Sequence, residues 1–132
     1  MTFSPAAADT ITAFFRDTNT KPGDYDLVLT GDLGFLGKNL MVDLMKRNGY
    51  DISNVYNDCG GMIFYPEQTA PMGASGCGCA ATVFNGCIRR ELLNKKVNNV
   101  ILAATGALLS PISSFQGENI PGISYALNFR RI

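Results

Sequence analysis

Histidine is absent from this 132-residue sequence, and charged residues make up only 17% of it. Without histidine, the chain alone can build neither Cys–His nor Ser–His catalysis, nor a zinc site of the Cys₂His₂ or Cys₃His kind. Eleven acidic residues balance eleven basic residues, so no positive excess favours nucleic acid as a partner. These absences exclude the histidine-dependent enzymes and argue against nucleic-acid binding.

Long apolar runs are also missing. No run approaches the roughly 20 residues of a membrane span, and the first residues, Met1 to Pro5, have neither the basic region nor the apolar core of a secretory signal. Four cysteines without such a signal indicate reduced thiols in a cytosol-like compartment. The spacing of Cys59, Cys77, Cys79 and Cys87 does not match paired zinc knuckles, so neither a metal nor a cofactor is expected.

The apolar periodicity predicts a single α/β domain over residues 1–132. Helical stripes begin at Ser4, where Ser4 can cap and Pro5 fits the first position, and again near Leu40. The longest helix is predicted over residues 80–95, with its arginines and lysines on a solvated outer face. Strands are predicted at residues 25–31, 52–55, 62–65 and 100–106, with a final one at 123–129 that can run antiparallel.

Two stretches carry most of the chemistry: Asn57-Asp58-Cys59-Gly60-Gly61 and the glycine-rich segment from Gly73 to Cys79. Glycine allows tight turns and close approach of the backbone to a ligand. A carboxylate beside a thiol is a reactive pair, although the same residues also suit a turn with a buried cysteine. Residue types alone leave both interpretations open.

Several blocks resemble the stage V sporulation protein AD family. They are Gly31-Asp32, residues 57–60, residues 75–79, residues 105–111 and residues 116–122. The resemblance covers nearly the whole sequence and corresponds to the C-terminal half of that family. It implies a thiolase-like fold, similar to ketoacyl synthase III, in which helices pack on a mixed sheet and two related halves lie side by side.

The resemblance also implies a function. It predicts a non-enzymatic protein that binds dipicolinic acid, alone or as its calcium chelate, and takes part in dipicolinate uptake into developing bacterial spores. The expected partners are the other proteins of the same sporulation operon. The expected location is the spore, peripheral at the inner membrane, and otherwise the cytoplasm.

Carried over by the matched blocks, the predicted ligand-binding residues are Asp58, Cys59 and Ser114, with Asp32 and the Gly73–Gly78 loop as second choices. Dipicolinate is a planar dianion, so it requires hydrogen-bond donors, cations and a flat apolar wall. Ser114 can donate. Asp58 would repel a bare carboxylate, and it fits only through calcium or water, when protonated, or by orienting neighbouring donors. It can equally anchor an internal turn.

Two other functions compete with ligand binding. A lone half of a thiolase-like protein would expose an apolar face, which predicts self-association or a structural role in docking another subunit. The same alternative includes a truncated fragment that does not bind a ligand. A thiolase-type acyltransferase is the second alternative. It is disfavoured because the second half of such enzymes supplies a histidine and this chain has none. The glycine-rich segment from Gly73 to Cys79 departs from the family pattern at Ala74, where relatives often have a second glycine.

Overall fold

The computed structural model describes residues 3–65, 67, 68, 73, 76–107 and 110–131. These residues form one four-stranded mixed sheet with the strand order β2-β1-β3-β4. The strands are β1 (Leu27–Thr30), β2 (Tyr56–Asp58), β3 (Asn99–Ala107) and β4 (Gly122–Arg130). Strand β1 pairs in parallel with β2 and β3, and β4 pairs antiparallel with β3. The mixed α/β class predicted from the sequence is therefore confirmed, and it is compatible with a thiolase-like fold.

Two helices cover one face of the sheet. Helix α1 (Ser4–Thr18) ends at Asn19, which adopts a left-handed conformation, and α2 (Gly34–Arg47) follows β1. Their apolar stripes pack on the inward side chains of β1 and β3 and form the larger of two cores, which includes Ile11, Phe15, Met41, Met45, Val28 and Ile101. Most of the apolar residues whose three- and four-residue spacing predicted both helices are residues that the structure buries in this core.

The other face of the sheet is covered by a helical segment in three parts. Helix α4 (Cys79–Val83) runs into a π-helical turn (Phe84–Ile88) and then α5 (Arg89–Leu93). Its inner side chains, with Leu29, Val100 and Leu102 of the sheet, form the second core. The helix predicted over residues 80–95 is therefore present, with a wide turn in its middle.

Three local predictions differ from the structure. Residues 53–55 form a turn and the strand β2 begins one residue later, at Tyr56. Residues 62–65 are not a strand, because a short helix, α3 (Cys59–Met62), starts directly after β2. Ser4 does not cap α1, because its buried hydroxyl donates to the Gly37 carbonyl of α2 at 3.0 Å. The hydroxyl of Ser4 follows a contact with a distant part of the chain, whereas the turn and the short helix are held by local bonds, from Val55 to Ile52 and from Gly61 to Asp58.

Helix α6 (Pro111–Phe115) lies between β3 and β4, at the edge of the sheet where the parallel strands end. Within the described residues, no helix has both the length and the apolar character needed to cross a bilayer.

Candidate functional site

The Asp58 carboxylate lies fully buried where β1 and β2 end. Its Oδ1 accepts hydrogen bonds from the Thr30 hydroxyl at 2.6 Å and the Leu33 amide at 3.0 Å. Its Oδ2 accepts from the amides of Gly34 at 3.0 Å and Gly61 at 3.3 Å. We call these five residues the Asp58 junction. Because each carboxylate oxygen already has two donors, the hydrogen-bonding capacity of Asp58 is used within the protein.

The local sequence explains why the junction forms. Asp58 has an extended backbone at the end of β2 and caps α3 through the Gly61 amide. Gly34 begins α2 with a φ of +69°, a conformation that suits glycine. The same carboxylate thus satisfies free N-terminal amides of two helices. An external anion has no access to these amides, so the junction acts as a structural anchor.

Asp32 lies beside the junction and contacts the glycine-rich loop. Its Oδ2 accepts a hydrogen bond from the Gly76 amide at 2.6 Å. Its Oδ1 lies so close to the backbones of Gly60 and Gly73 that a methyl group on either glycine would overlap it. These glycines therefore permit close packing around an internal carboxylate. The neighbouring loop residues Ala74 and Ser75 lie outside the described residues.

Two cysteines are buried next to these carboxylates. Burial, then the Asp58 carboxylate and the nearby Cys79 thiol, raise the pKa of the Cys59 thiol to about 12. Burial and the carboxylates of Asp32 and Asp58 raise the pKa of the Cys79 thiol to about 11. Both thiols are therefore protonated at neutral pH, and a protonated thiol is a poor nucleophile.

Ser114, the third predicted site residue, has different surroundings. It is exposed on α6, and its backbone bonds stay within the segment, with Ser110 and Gly117. No hydrogen bond among the described residues links its side chain to Asp58 or Cys59. The topology places all three residues at the carboxyl edge of the parallel strands, yet the structure buries two of them and exposes the third.

The structure adds two residues that the sequence reasoning missed. The Lys38 ammonium donates to the Asn57 Oδ1 at 2.8 Å. The Phe35 ring lies against Gly61, where an added Cβ would be 3.5 Å from it, and 42% of Phe35 remains exposed. Phe35 and Lys38 are three residues apart on α2 and so share one side of its first turn. That spacing, next to the Asn57 block, was the only signal available from the sequence.

We call Phe35, Lys38, Asn57 and Gly61 the edge surface. None of the described carboxylates lies within 4.0 Å of the Lys38 ammonium, since the one ion pair of the described residues joins Arg16 and Asp17. The edge surface thus combines an available cation with the flat face of an aromatic ring. Such a combination can hold a planar anion, with the charge on the lysine and the ring on the phenylalanine.

The fold and these surroundings define a mixed α/β protein with a carboxylate junction behind a partly exposed surface at the carboxyl edge of its sheet. Comparison with known proteins identifies the family. The profile of the family described as Stage V sporulation protein AD (SpoVAD) matches residues 1–130. The chain is 44% identical over 128 residues, 97% of its length, to Stage V sporulation protein AD from Bacillus subtilis (strain 168). The chain belongs to this family, and it spans 38% of the length of that relative.

Proposed function

We propose that this chain binds dipicolinic acid, alone or as its calcium chelate, at the edge surface. The ligand is a planar pyridine ring with two carboxylates. Membership of the sporulation family motivates the choice of ligand. The observation that carries the site is the Lys38 ammonium held at Asn57, with the exposed Phe35 ring three residues earlier on the same helix. In this pose one carboxylate pairs with Lys38 and the pyridine ring lies on Phe35.

The three residues predicted from the sequence have different roles in this proposal. Asp58 acts as a positioning residue, because its junction fixes the start of α2, which carries Phe35 and Lys38. Cys59 follows Asp58 in the sequence and is fully buried, so it has a packing role. Ser114 is exposed at the same edge of the sheet, and in the proposal its hydroxyl donates to the second carboxylate.

The proposal also covers the cellular location of the protein and assigns it no catalytic role. The protein acts in the developing spore, at the surface of the inner membrane or otherwise in the cytoplasm, together with other proteins of its operon, in moving dipicolinate. The proposal assigns the chain no acyltransferase activity, which agrees with its lack of histidine and with the burial that raises the pKa of the Cys59 thiol to about 12.

Calorimetric titration of the chain with dipicolinic acid, with and without calcium, tests the proposal. We expect saturable binding that Lys38→Gln weakens by about tenfold, the effect of one charge-assisted hydrogen bond. Ser114→Ala should weaken it by a smaller factor. If the calcium chelate is the ligand, the effect of Lys38→Gln should be smaller in the presence of calcium, because the chelate carries no net charge. If only the free dianion binds, calcium should weaken binding by the same factor in both chains.

Lys46→Gln is the matched control, since Lys46 is an exposed lysine on the same helix. Its affinity for dipicolinic acid should equal that of the unmodified chain. Absence of saturable binding, or an equal loss in the Lys38 and Lys46 variants, would overturn the assignment of the edge surface. Circular dichroism of each variant checks that the fold is retained.

A role in docking another subunit is the second candidate function. Two large apolar side chains of β4 are mostly exposed, Tyr125 at 74% and Leu127 at 58%. Side chains of this kind in a row on a sheet are typical of surfaces that another protein covers.

A further inference from the structure

A groove of about 470 Å³ lies between α5 and the end of β4. Its floor is apolar and consists of Phe84, Leu92, Leu93 and Phe129. The Phe84 and Phe129 rings pack with their centroids 4.2 Å apart, and 64% of Leu93 is exposed. Strand β4 is antiparallel to β3, so this groove lies at the end of the sheet opposite the edge surface.

Three arginines, Arg89, Arg130 and Arg131, surround the apolar floor. None of them has a carboxylate within 4.0 Å among the described residues, and this holds for Glu91 on the same helix. Arg131 donates one hydrogen bond, at 3.3 Å, to the Asn98 side chain. The guanidinium groups therefore retain donors for carboxylates of a partner, which arginine binds in a two-pronged geometry.

The overall charge distribution strengthens this local pattern. Residues 89–132 hold six of the eleven Lys and Arg residues but only two of the eleven Asp and Glu residues. The neutral sum for the whole chain hides a basic C-terminal third. A basic region attracts acidic partners and increases their rate of association.

The helix that borders the groove is irregular there. Its π-helical turn begins at Phe84, a residue of the apolar floor, and ends one residue before Arg89, one of the three arginines around that floor. Such turns are rare and are often found at functional sites. The irregularity is thus a second observation, independent of charge, that marks this surface.

The apolar surface continues beyond the groove along β4. Leu127 lies opposite Leu102, and Tyr125 lies opposite Ala104, on the strand next to it. Both β4 side chains are exposed and stand on the same side of the strand as Phe129, at alternate positions. A small molecule would fill the groove and leave this row uncovered, whereas a polypeptide segment can cover both.

We propose that this groove binds an acidic amphipathic helix of a partner protein, with apolar side chains on the floor and carboxylates on the three arginines. Helices that lay an apolar stripe into a groove are a common mode of recognition. Two copies of this chain meeting groove to groove would bring their arginines together, which opposes that arrangement. A flat bilayer fits a concave floor poorly.

Fluorescence anisotropy of a labelled helical peptide tests the proposal. The peptide carries leucines at positions i, i+3, i+4 and i+7 with flanking glutamates, and its control has glutamines in place of the glutamates. We expect the glutamate peptide to bind at least about tenfold more tightly, and its affinity to fall as salt is added. Arg130→Glu should weaken binding by about tenfold or more, because it places a negative charge on the rim.

Arg47→Glu is the matched control, because Arg47 is an exposed arginine on α2, which packs on the other face of the sheet. It should leave the affinity for the peptide unchanged. Equal binding of the two peptides, or an equal loss in the Arg47 and Arg130 variants, would overturn the proposal. The proposal would also be overturned if the chain sedimented as a dimer and Leu93→Asp abolished that dimer. A third contradicting result would be tighter binding to anionic lipid vesicles than to the peptide, with that binding lost in Arg130→Glu.

Discussion

The two ends of the sheet use their charged side chains in opposite ways. At the carboxyl edge, Asp58 is fully buried and accepts four hydrogen bonds from its own chain. At the other end, Arg89 and Arg130 surround an open apolar groove and have no carboxylate partner among the described residues. A charge that is satisfied internally stabilises a fold, whereas an exposed and unpaired charge beside apolar surface is suited to a partner.

This contrast changes how the Asn57–Gly61 block is interpreted. A carboxylate next to a thiol suggests chemistry, yet the thiol is protonated and the carboxylate is occupied. In our proposal, ligand contact at this edge is made by Phe35 and Lys38, which lie next to the junction. A residue can thus be essential to a site while contacting only the protein.

The largest expected effect is on Asp58. Asp58→Ala leaves three backbone amides and one hydroxyl without their acceptor, so we expect the free energy of unfolding to fall by about 3–5 kcal/mol. Urea unfolding followed by circular dichroism measures it. Asp51→Ala is the control, because Asp51 is exposed and its hydrogen bonds among the described residues are both to Ser53. We expect it to cost less than about 1 kcal/mol. A similar cost for both variants would show that the junction is not an anchor.

A smaller loss is expected at Gly60. A methyl group there would overlap Asp32 Oδ1 and come within 2.9 Å of Asp58 Oδ2, so Gly60→Ala should destabilise the fold by about 1–3 kcal/mol. Gly86→Ala is the control, because nothing lies within 4 Å of an added Cβ at Gly86 and alanine favours a helix. Equal unfolding midpoints for the two variants would contradict the packing around the two carboxylates.

The smallest effect depends on pH. Burial raises the pKa of the Cys59 thiol to about 12, whereas the unfolded chain releases this proton near pH 8.5. The folded state therefore holds the proton more tightly, and stability should fall as the pH rises from about 8.5 toward 12. Cys59→Ala should show a shallower fall of the unfolding midpoint with pH. Identical slopes would indicate that the thiol is not buried in the folded chain.

The secondary structure was predicted correctly where the apolar pattern in the sequence was long. Helices α1 and α2 and the strands β1, β3 and β4 follow from long stripes or runs whose periodicity reports burial directly. The segment from Ile52 to Tyr65 was misjudged because local bonds close a turn over residues 53–55 and the Asp58 side chain caps a short helix directly after β2, features that a short apolar run does not report.

The two proposed binding surfaces were harder to predict for a related reason. The proposed site at Phe35 and Lys38 depends on Asn57 of β2 and Gly61 of α3, which contact these two side chains. The arginines of α5 look like a solvated helix face until β4 brings Arg130 next to them. Pattern analysis finds what one element buries, but a surface shared by two elements requires the tertiary structure.

The most direct test of the contrast between the two ends is a crossed binding measurement. Dipicolinic acid and the glutamate peptide are each titrated into Lys38→Gln and Arg130→Gln. The account predicts that Lys38→Gln weakens only dipicolinic acid binding and Arg130→Gln weakens only peptide binding, each by about fivefold to tenfold. If one substitution weakened both ligands alike, the two ends would not be separate binding surfaces, and the account would be contradicted.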